Sequence, residues 1–185
     1  MKDKLLKDVE TKMKKAIDMI KKDMASVRTG RAHPALLEDI KVDYYGTPVP
    51  INQLATISVP EARLIVIQPW DKSTLKEIEK AILRSPLGLI PQNDGNVIRV
   101  SIPPLTEERR KELIRLVRKK AEEGRITVRN IRRDVMEELK EKKENGELPE
   151  DDYFRLSKDI QELTDKYIEQ VEEILKLKEE EIMEG

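Results

Sequence analysis

The 185-residue sequence contains no cysteine. Disulfides, thiolate metal ligands and cysteine nucleophiles are therefore excluded, and the composition fits a reducing cytosol, so a cytoplasmic location is expected. Aromatic residues make up only 3%. Packing must then rest on Leu, Ile, Val and Met. There is one histidine, His33, directly before Pro34. A two-histidine metal site is impossible, and His33 is expected to be exposed in a loop and not catalytic. No glycine-rich loop leads into Lys and Ser/Thr, so no phosphate-binding loop is present. No apolar run approaches the ~20 residues of a membrane span, and Met1-Lys2-Asp3-Lys4 opens an amphipathic pattern instead of a leader. Neither sign of charge dominates, since the net charge is −1. A nucleic-acid surface would need local segregation of charge. Asp151-Asp152 suits a helix start and Glu179-Glu180-Glu181 a solvated helix end, and neither has the supporting groups of a catalytic site. The expectation is a protein with no enzymatic activity, no cofactor and no metal.

What is present is charge with period. Charged residues make up 39% and apolar ones 38%, a balance that suits long helices with one buried stripe better than a thick core. The many Lys and Glu with few Asn and Gln also fit a thermophile composition. Residues 3–28 repeat Leu5, Val9, Met13, Ala16, Ile20, Met24 and Val27 every three or four positions, which predicts a helix ended by a left-handed Gly30. Nine of the ten prolines then fall between Pro34 and Pro104, so this stretch must be short strands and turns. Ile40 to Tyr44, Ala55 to Val59, Leu64 to Ile67 and Ile98 to Ile102 read as strands, with a turn at Gly46-Thr47-Pro48. A short helix over 73–84 would start from a Thr74/Glu77 capping box. Pro103-Pro104 stops the last strand.

From Thr106, a helix N-cap, the stripe Leu113, Val117, Ala121, Gly124, Val128, Ile131, Val135 and Leu139 runs to Asn145-Gly146. Pro149 opens another helix with the stripe Leu156, Ile160, Leu163, Tyr167, Val171, Ile174 and Ile182. Three stripes that cannot be buried singly make a three-helix bundle. The predicted fold is α+β: an elongated three-helix bundle of residues 1–30 plus 104–185, with a small domain of residues 31–103 inserted. The chain crosses between them at Thr29, Gly30 and Arg31 and again at Pro103 and Pro104, a natural hinge.

The clearest chemical feature lies on the second long helix. Between Arg109 and Arg133 stand eight Arg and three Lys against three Glu. Arg118, Arg125, Arg129 and Arg132 follow at seven, four and three residues, which stacks them on one face beside the core stripe. They are expected to flank the seam and point at solvent, where a planar guanidinium can hold phosphate bidentately. The plain alternative is a solvated face whose arginines pair with glutamates of the third helix, as in a protein-binding coiled-coil adaptor. Arg28 and Arg31 flank the bend at Gly30, where helix capping accounts for Arg28 equally well. Of Tyr44 and Tyr45, one should face inward and one outward, the latter available to a partner or simply an exposed strand residue.

Several stretches together carry a wider likeness. They are Arg28-Thr29-Gly30-Arg31, Val42-Asp43-Tyr44-Tyr45-Gly46-Thr47-Pro48, Gln53-Leu54-Ala55, Glu79-Lys80-Ala81-Ile82, Leu87-Gly88-Leu89, Pro103-Pro104-Leu105-Thr106-Glu107-Glu108-Arg109-Arg110, Val128-Arg129-Asn130-Ile131-Arg132-Arg133 and Leu163-Thr164-Asp165. On these the sequence resembles bacterial ribosome recycling factors across essentially its whole length, departing at Ile90-Pro91-Gln92-Asn93-Asp94-Gly95. The resemblance implies an L-shaped protein with a three-helix bundle and a β/α/β domain on a flexible hinge. It implies binding between the ribosomal subunits after termination and, with elongation factor G and GTP, subunit splitting with release of mRNA and tRNA. The bundle would lie on large-subunit ribosomal RNA. By matching positions, Arg129 and Arg132 are the best phosphate contacts, with Arg133 and Arg28 behind them and Asn130 in the same stretch. The small domain and hinge would receive the elongation factor. A monomer that does not enter membranes is expected.

Overall fold

The computed structural model describes residues 2–184. They form two compact units: the chain up to Arg28 with Glu107–Glu184, and Thr29–Thr106. The α+β character and the long helices agree with the sequence reading.

In the first unit α1 (Lys2–Ala25), α3 (Glu107–Glu144) and α4 (Glu150–Glu184) pack against one another. Glu107 and Glu108 open α3, and Glu150, Asp151 and Asp152 open α4, each acid favourable at the positive end of a helix dipole. Between them the Gly146 amide donates to Lys143 and the Glu147 amide to Lys142. With Gly146 at φ 77°, this left-handed reversal satisfies the last carbonyls and turns the chain back.

Two expectations about these helices need correction. The α1 helix ends at Ala25, not at Gly30. The Ser26 hydroxyl donates to the Asp23 carbonyl at 2.6 Å and the Val27 amide to Met24, which tightens and closes the last turn. On α4, Thr164 and Leu175 are buried where Leu163 and Ile174 were expected. The buried series Leu156, Ile160, Thr164, Tyr167, Val171, Leu175, Lys178, Ile182 repeats four-four-three, about 3.67 residues per turn. That lies closer to the roughly 3.6 of a straight helix than the roughly 3.5 of a four-three pattern does. Thr164 returns its buried hydroxyl to the Ile160 carbonyl at 2.8 Å, so no polar atom is stranded there.

Two contacts fix how α1 seats in the bundle. Gly124 faces Ile20, and a Cβ there would lie 2.3 Å from Ile20 Cδ1, so any larger residue would force the Ile20 side chain to move. The buried Tyr167 donates its hydroxyl to Glu10 Oε1 at 2.9 Å, with Lys14 and Lys166 flanking the carboxylate.

The second unit holds a hairpin of β1 (Lys41–Tyr44) and β2 (Thr47–Pro50) and a sheet with strand order β3-β4-β6-β5. The sheet strands are β3 (Ala55–Glu61), β4 (Leu64–Pro69), β5 (Pro91–Asn93) and β6 (Ile98–Ser101), all antiparallel. Helix α2 (Leu75–Arg84) packs on β1 and β5. Leu75, Ile78 and Ile82 close over Leu37, Val42, Ile51, Ile65, Ile67, Ile98 and Val100 in one apolar core.

Strand β2 was unexpected because Pro48 and Pro50 lie in it. As the partner of a single strand it can spare their amides. Tyr45 and Gly46 both have positive φ, 51° and 83°, the reversal a two-residue hairpin needs. The expected Thr74 capping box is also absent. Thr74 is helical and its hydroxyl donates to the Asp71 carbonyl, while the Asp71 carboxylate takes the Ser73 amide at 3.0 Å. A short 3-10 turn over Lys72–Thr74 therefore moves the cap back to Asp71.

Candidate nucleic-acid interface

The arginine stripe of α3 is present, but its members do not share one environment. Arg118 donates through Nε to Glu179 Oε1 at 2.7 Å, with its side chain 65% exposed. Arg125 grips Glu172 with both Nε and Nη2, and its Nη1 donates to Glu122 at 2.7 Å. Its side chain is only 17% exposed, so it folds into the α3–α4 seam instead of pointing at solvent. Hydrogen bonding to Glu172, outweighing desolvation, drives its pKa up. The same bond from Arg125 lowers the pKa of Glu172. For Arg118 and Arg125 the pairing expected of the plain alternative is thus observed.

The other end of the stripe differs. Arg129 is 57% exposed, and its nearest carboxylate, Glu122 on its own helix, is 3.7 Å away. Glu122 already holds Arg125 with its other oxygen. Arg133 is 64% exposed and, among the described residues, pairs only with its neighbour Asp134, at 4.0 Å. Arg132 donates Nε to the neutral Gln161 Oε1 at 2.7 Å. Asn130 lies exposed between them, and Arg28 is exposed just past the end of α1. The least compensated positive charge therefore gathers on one short stretch of α3, at Arg129, Arg132 and Arg133.

The plain alternative named glutamates of the third helix as partners, but not which ones. A signal was available. Arg118, Arg125 and Arg132 advance in sevens along α3, while Glu179, Glu172 and Asp165 recede in sevens along α4. Two helices joined by a short turn at Gly146 must bring such series face to face.

Tyr44 is half-buried and Tyr45 exposed, their rings edge-on at 4.6 Å. Thr29 is buried and Arg31 exposed. Gly30 has φ 79°, and a Cβ there would lie 2.9 Å from Leu105 Cγ. Pro103 and Pro104 are exposed. His33 is exposed and caps a 3-10 turn, its Nδ1 accepting from the Ala35 amide at 3.0 Å. Among the described residues no group of His, Cys, Asp and Glu could hold a metal ion, and no helix is long and apolar enough to cross a membrane.

Known proteins match over nearly the full chain. The family model described as ribosome recycling factor matches residues 20–183. A ribosome-recycling factor of Halalkalibacterium halodurans is 56% identical over 184 residues, covering 100% of both chains. One from Syntrophomonas wolfei is 59% identical over 180 residues, covering 97% of each. A solution structure of the ribosome recycling factor superposes with TM-score 0.67 at 49% identity, covering 100% of this chain and 98% of the other. A second structure, TM-score 0.60 at 46% identity and 98% coverage of both, comes from models of the T. thermophilus ribosome recycling factor and the E. coli elongation factor G bound to the E. coli post-termination complex.

Proposed function

The chain belongs to the ribosome recycling factor family, and from that premise we propose that it docks on the post-termination ribosome through the far stretch of its arginine stripe. Arg129 and Arg132 carry the contact to large-subunit ribosomal RNA in the intersubunit space, with Arg133, Asn130 and Arg28 at its margin. Arg118 and Arg125 hold α4 and contribute little to RNA. The observation that carries this reading is the difference in pairing: carboxylates of α4 hydrogen-bond Arg118 and Arg125, and among the described residues none hydrogen-bonds Arg129, Arg132 or Arg133, although the field of Glu172 reaches Arg129. Unspent guanidinium charge suits phosphate.

In this reading the protein works in the cytoplasm, performs no chemistry of its own, and promotes subunit splitting and release of mRNA and tRNA with elongation factor G, which brings the GTP. A relative has been placed with that factor on a post-termination complex. Thr29, Gly30 and Arg31 with Pro103 and Pro104 act as the hinge, and Tyr44 and Tyr45 are the partner-facing pair of the small unit. Gly30→Ala tests the hinge, because it sets a Cβ against Leu105 and an L residue in left-handed backbone. Ribosome binding should persist while splitting slows; splitting at the normal rate would remove the hinge role.

Docking itself is tested by sedimentation with purified ribosomes over a salt series. Arg132→Ala should cost about 1–3 kcal/mol of affinity, with the melting temperature unchanged. Binding insensitive both to salt and to Arg129→Ala plus Arg132→Ala would instead favour a protein-binding adaptor.

A further inference from the structure

The series on α3 and α4 make three rungs, and the third is built differently. At the first, Arg118 meets Glu179, and at the second, Arg125 meets Glu172. The residue standing in the same place opposite Arg132 is Asp165, one methylene shorter than a glutamate. It is not hydrogen-bonded to the arginine. Gln161, one turn earlier on α4, stands between them: Arg132 Nε donates to Gln161 Oε1 at 2.7 Å, and Gln161 Nε2 donates to Asp165 Oδ1 at 2.8 Å.

We propose that Gln161, backed by Asp165, is a positioning residue that holds Arg132 for an RNA phosphate without consuming its charge. The neutral oxygen occupies Nε and restricts the side chain, so less rotamer freedom is lost on binding. Nη1 and Nη2 take no hydrogen bond in the described residues, which leaves the two terminal nitrogens of the fork for the phosphate oxygens. A carboxylate in place of the amide would fix the arginine equally well but neutralise it, as at the other two rungs. Asp165 orients the amide by accepting from its NH2, so that the carbonyl oxygen faces Arg132.

This inference rests on the docking reading above, and the experiment separates the two. Full-length variants are sedimented with purified ribosomes across a salt series and melted in parallel. Gln161→Glu should weaken binding about tenfold and reduce the salt slope by about one, because one guanidinium arrives already neutralised. Its melting temperature should not fall. Asp165→Glu, which restores the reach of the other rungs, should act in the same direction. Gln161→Ala should weaken binding about threefold through lost positioning. Neither Gln161 substitution should add to Arg132→Ala, a coupling that a merely structural role would not produce. If Arg132→Ala weakens binding but the Gln161 and Asp165 variants bind as the parent does, the positioning role is wrong and docking stands. If Arg132→Ala itself binds as the parent does, docking is wrong, and the positioning role falls with it.

Discussion

The two ends of the arginine stripe on α3 share residue type, helix and spacing, yet differ in what opposes them. Towards the start of the helix, Arg118 and Arg125 meet glutamates of α4. Further along, Arg132 meets an amide, and Arg129 and Arg133 keep loose ion pairs with acids of their own helix at 3.7 and 4.0 Å, with no hydrogen bond from α4. Charge counted along a sequence is therefore not charge available to a ligand. What remains available depends on the neighbouring helix, residue by residue. The half-buried and carboxylate-clamped Arg125 belongs to the fold, whereas its more exposed neighbours keep a field that can reach phosphate.

The comparison is sharpened most by Arg125→Ala. It leaves Glu172 without its partner in the seam and removes a packed side chain. A charged hydrogen-bond pair of this kind, discounted because Glu172 is half exposed, contributes about 1–2 kcal/mol. A lower melting temperature with ribosome affinity within about twofold of the parent is expected. A large affinity loss at unchanged stability would place Arg125 on the RNA instead.

A smaller effect is expected at the α1–α4 contact, which lies outside the stripe and serves as a control. Tyr167→Phe removes the bond to Glu10 and should cost about 1 kcal/mol at neutral pH, without changing ribosome affinity. Its pH dependence has a defined sign. Burial and the Glu10 bond raise the Tyr167 pKa from 10.0 to about 12. The folded state keeps that proton longer than the unfolded chain, so the contribution is full below pH 10.0 and is lost as pH rises towards about 12. Denaturation titrations should show a shallower alkaline loss in the variant. Identical alkaline limbs would mean that the bond is not formed in solution.

Smallest of all is Arg118→Ala. This arginine is 65% exposed, and an exposed ion pair contributes about 0–1 kcal/mol. Thermal melts should barely separate it from the parent. A shift as large as that of Arg125→Ala would show that exposure does not grade the rungs as described.

Much of this was legible in the sequence. Long stripes without proline read directly as helices, and the alternation of Ile98 and Val100 with Arg99 and Ser101 read as strand β6. The arginine stripe was legible as spacing. Its division was not read, because the spacing of one helix only places Arg125 on a face, and Glu172 is found across from it once the sevens of α3 and α4 are matched. That requires the register between α3 and α4, which the turn at Gly146 sets. Gln161 was missed for the same reason: it is an ordinary polar residue on an exposed face until Arg132 is placed beside it. The prolines of β2 hid a strand, since a proline weakens a strand assignment unless its amide side is known to be free. At Gly30 the left-handed conformation was foreseen but assigned to the wrong task. It lies beyond the helix end, where its missing Cβ makes room for Leu105.

The most direct test sets the two ends of the stripe against each other. Arg129→Ala plus Arg132→Ala is compared with Arg118→Ala plus Arg125→Ala by sedimentation with purified ribosomes from low to high salt, with thermal melts alongside. The first pair should lose affinity steeply and reduce the salt slope by about two, with the melting temperature of the parent. The second pair should melt earlier and keep the parental slope. Equal losses of affinity and slope in both pairs would contradict the account, because all four arginines would then be equally available to RNA.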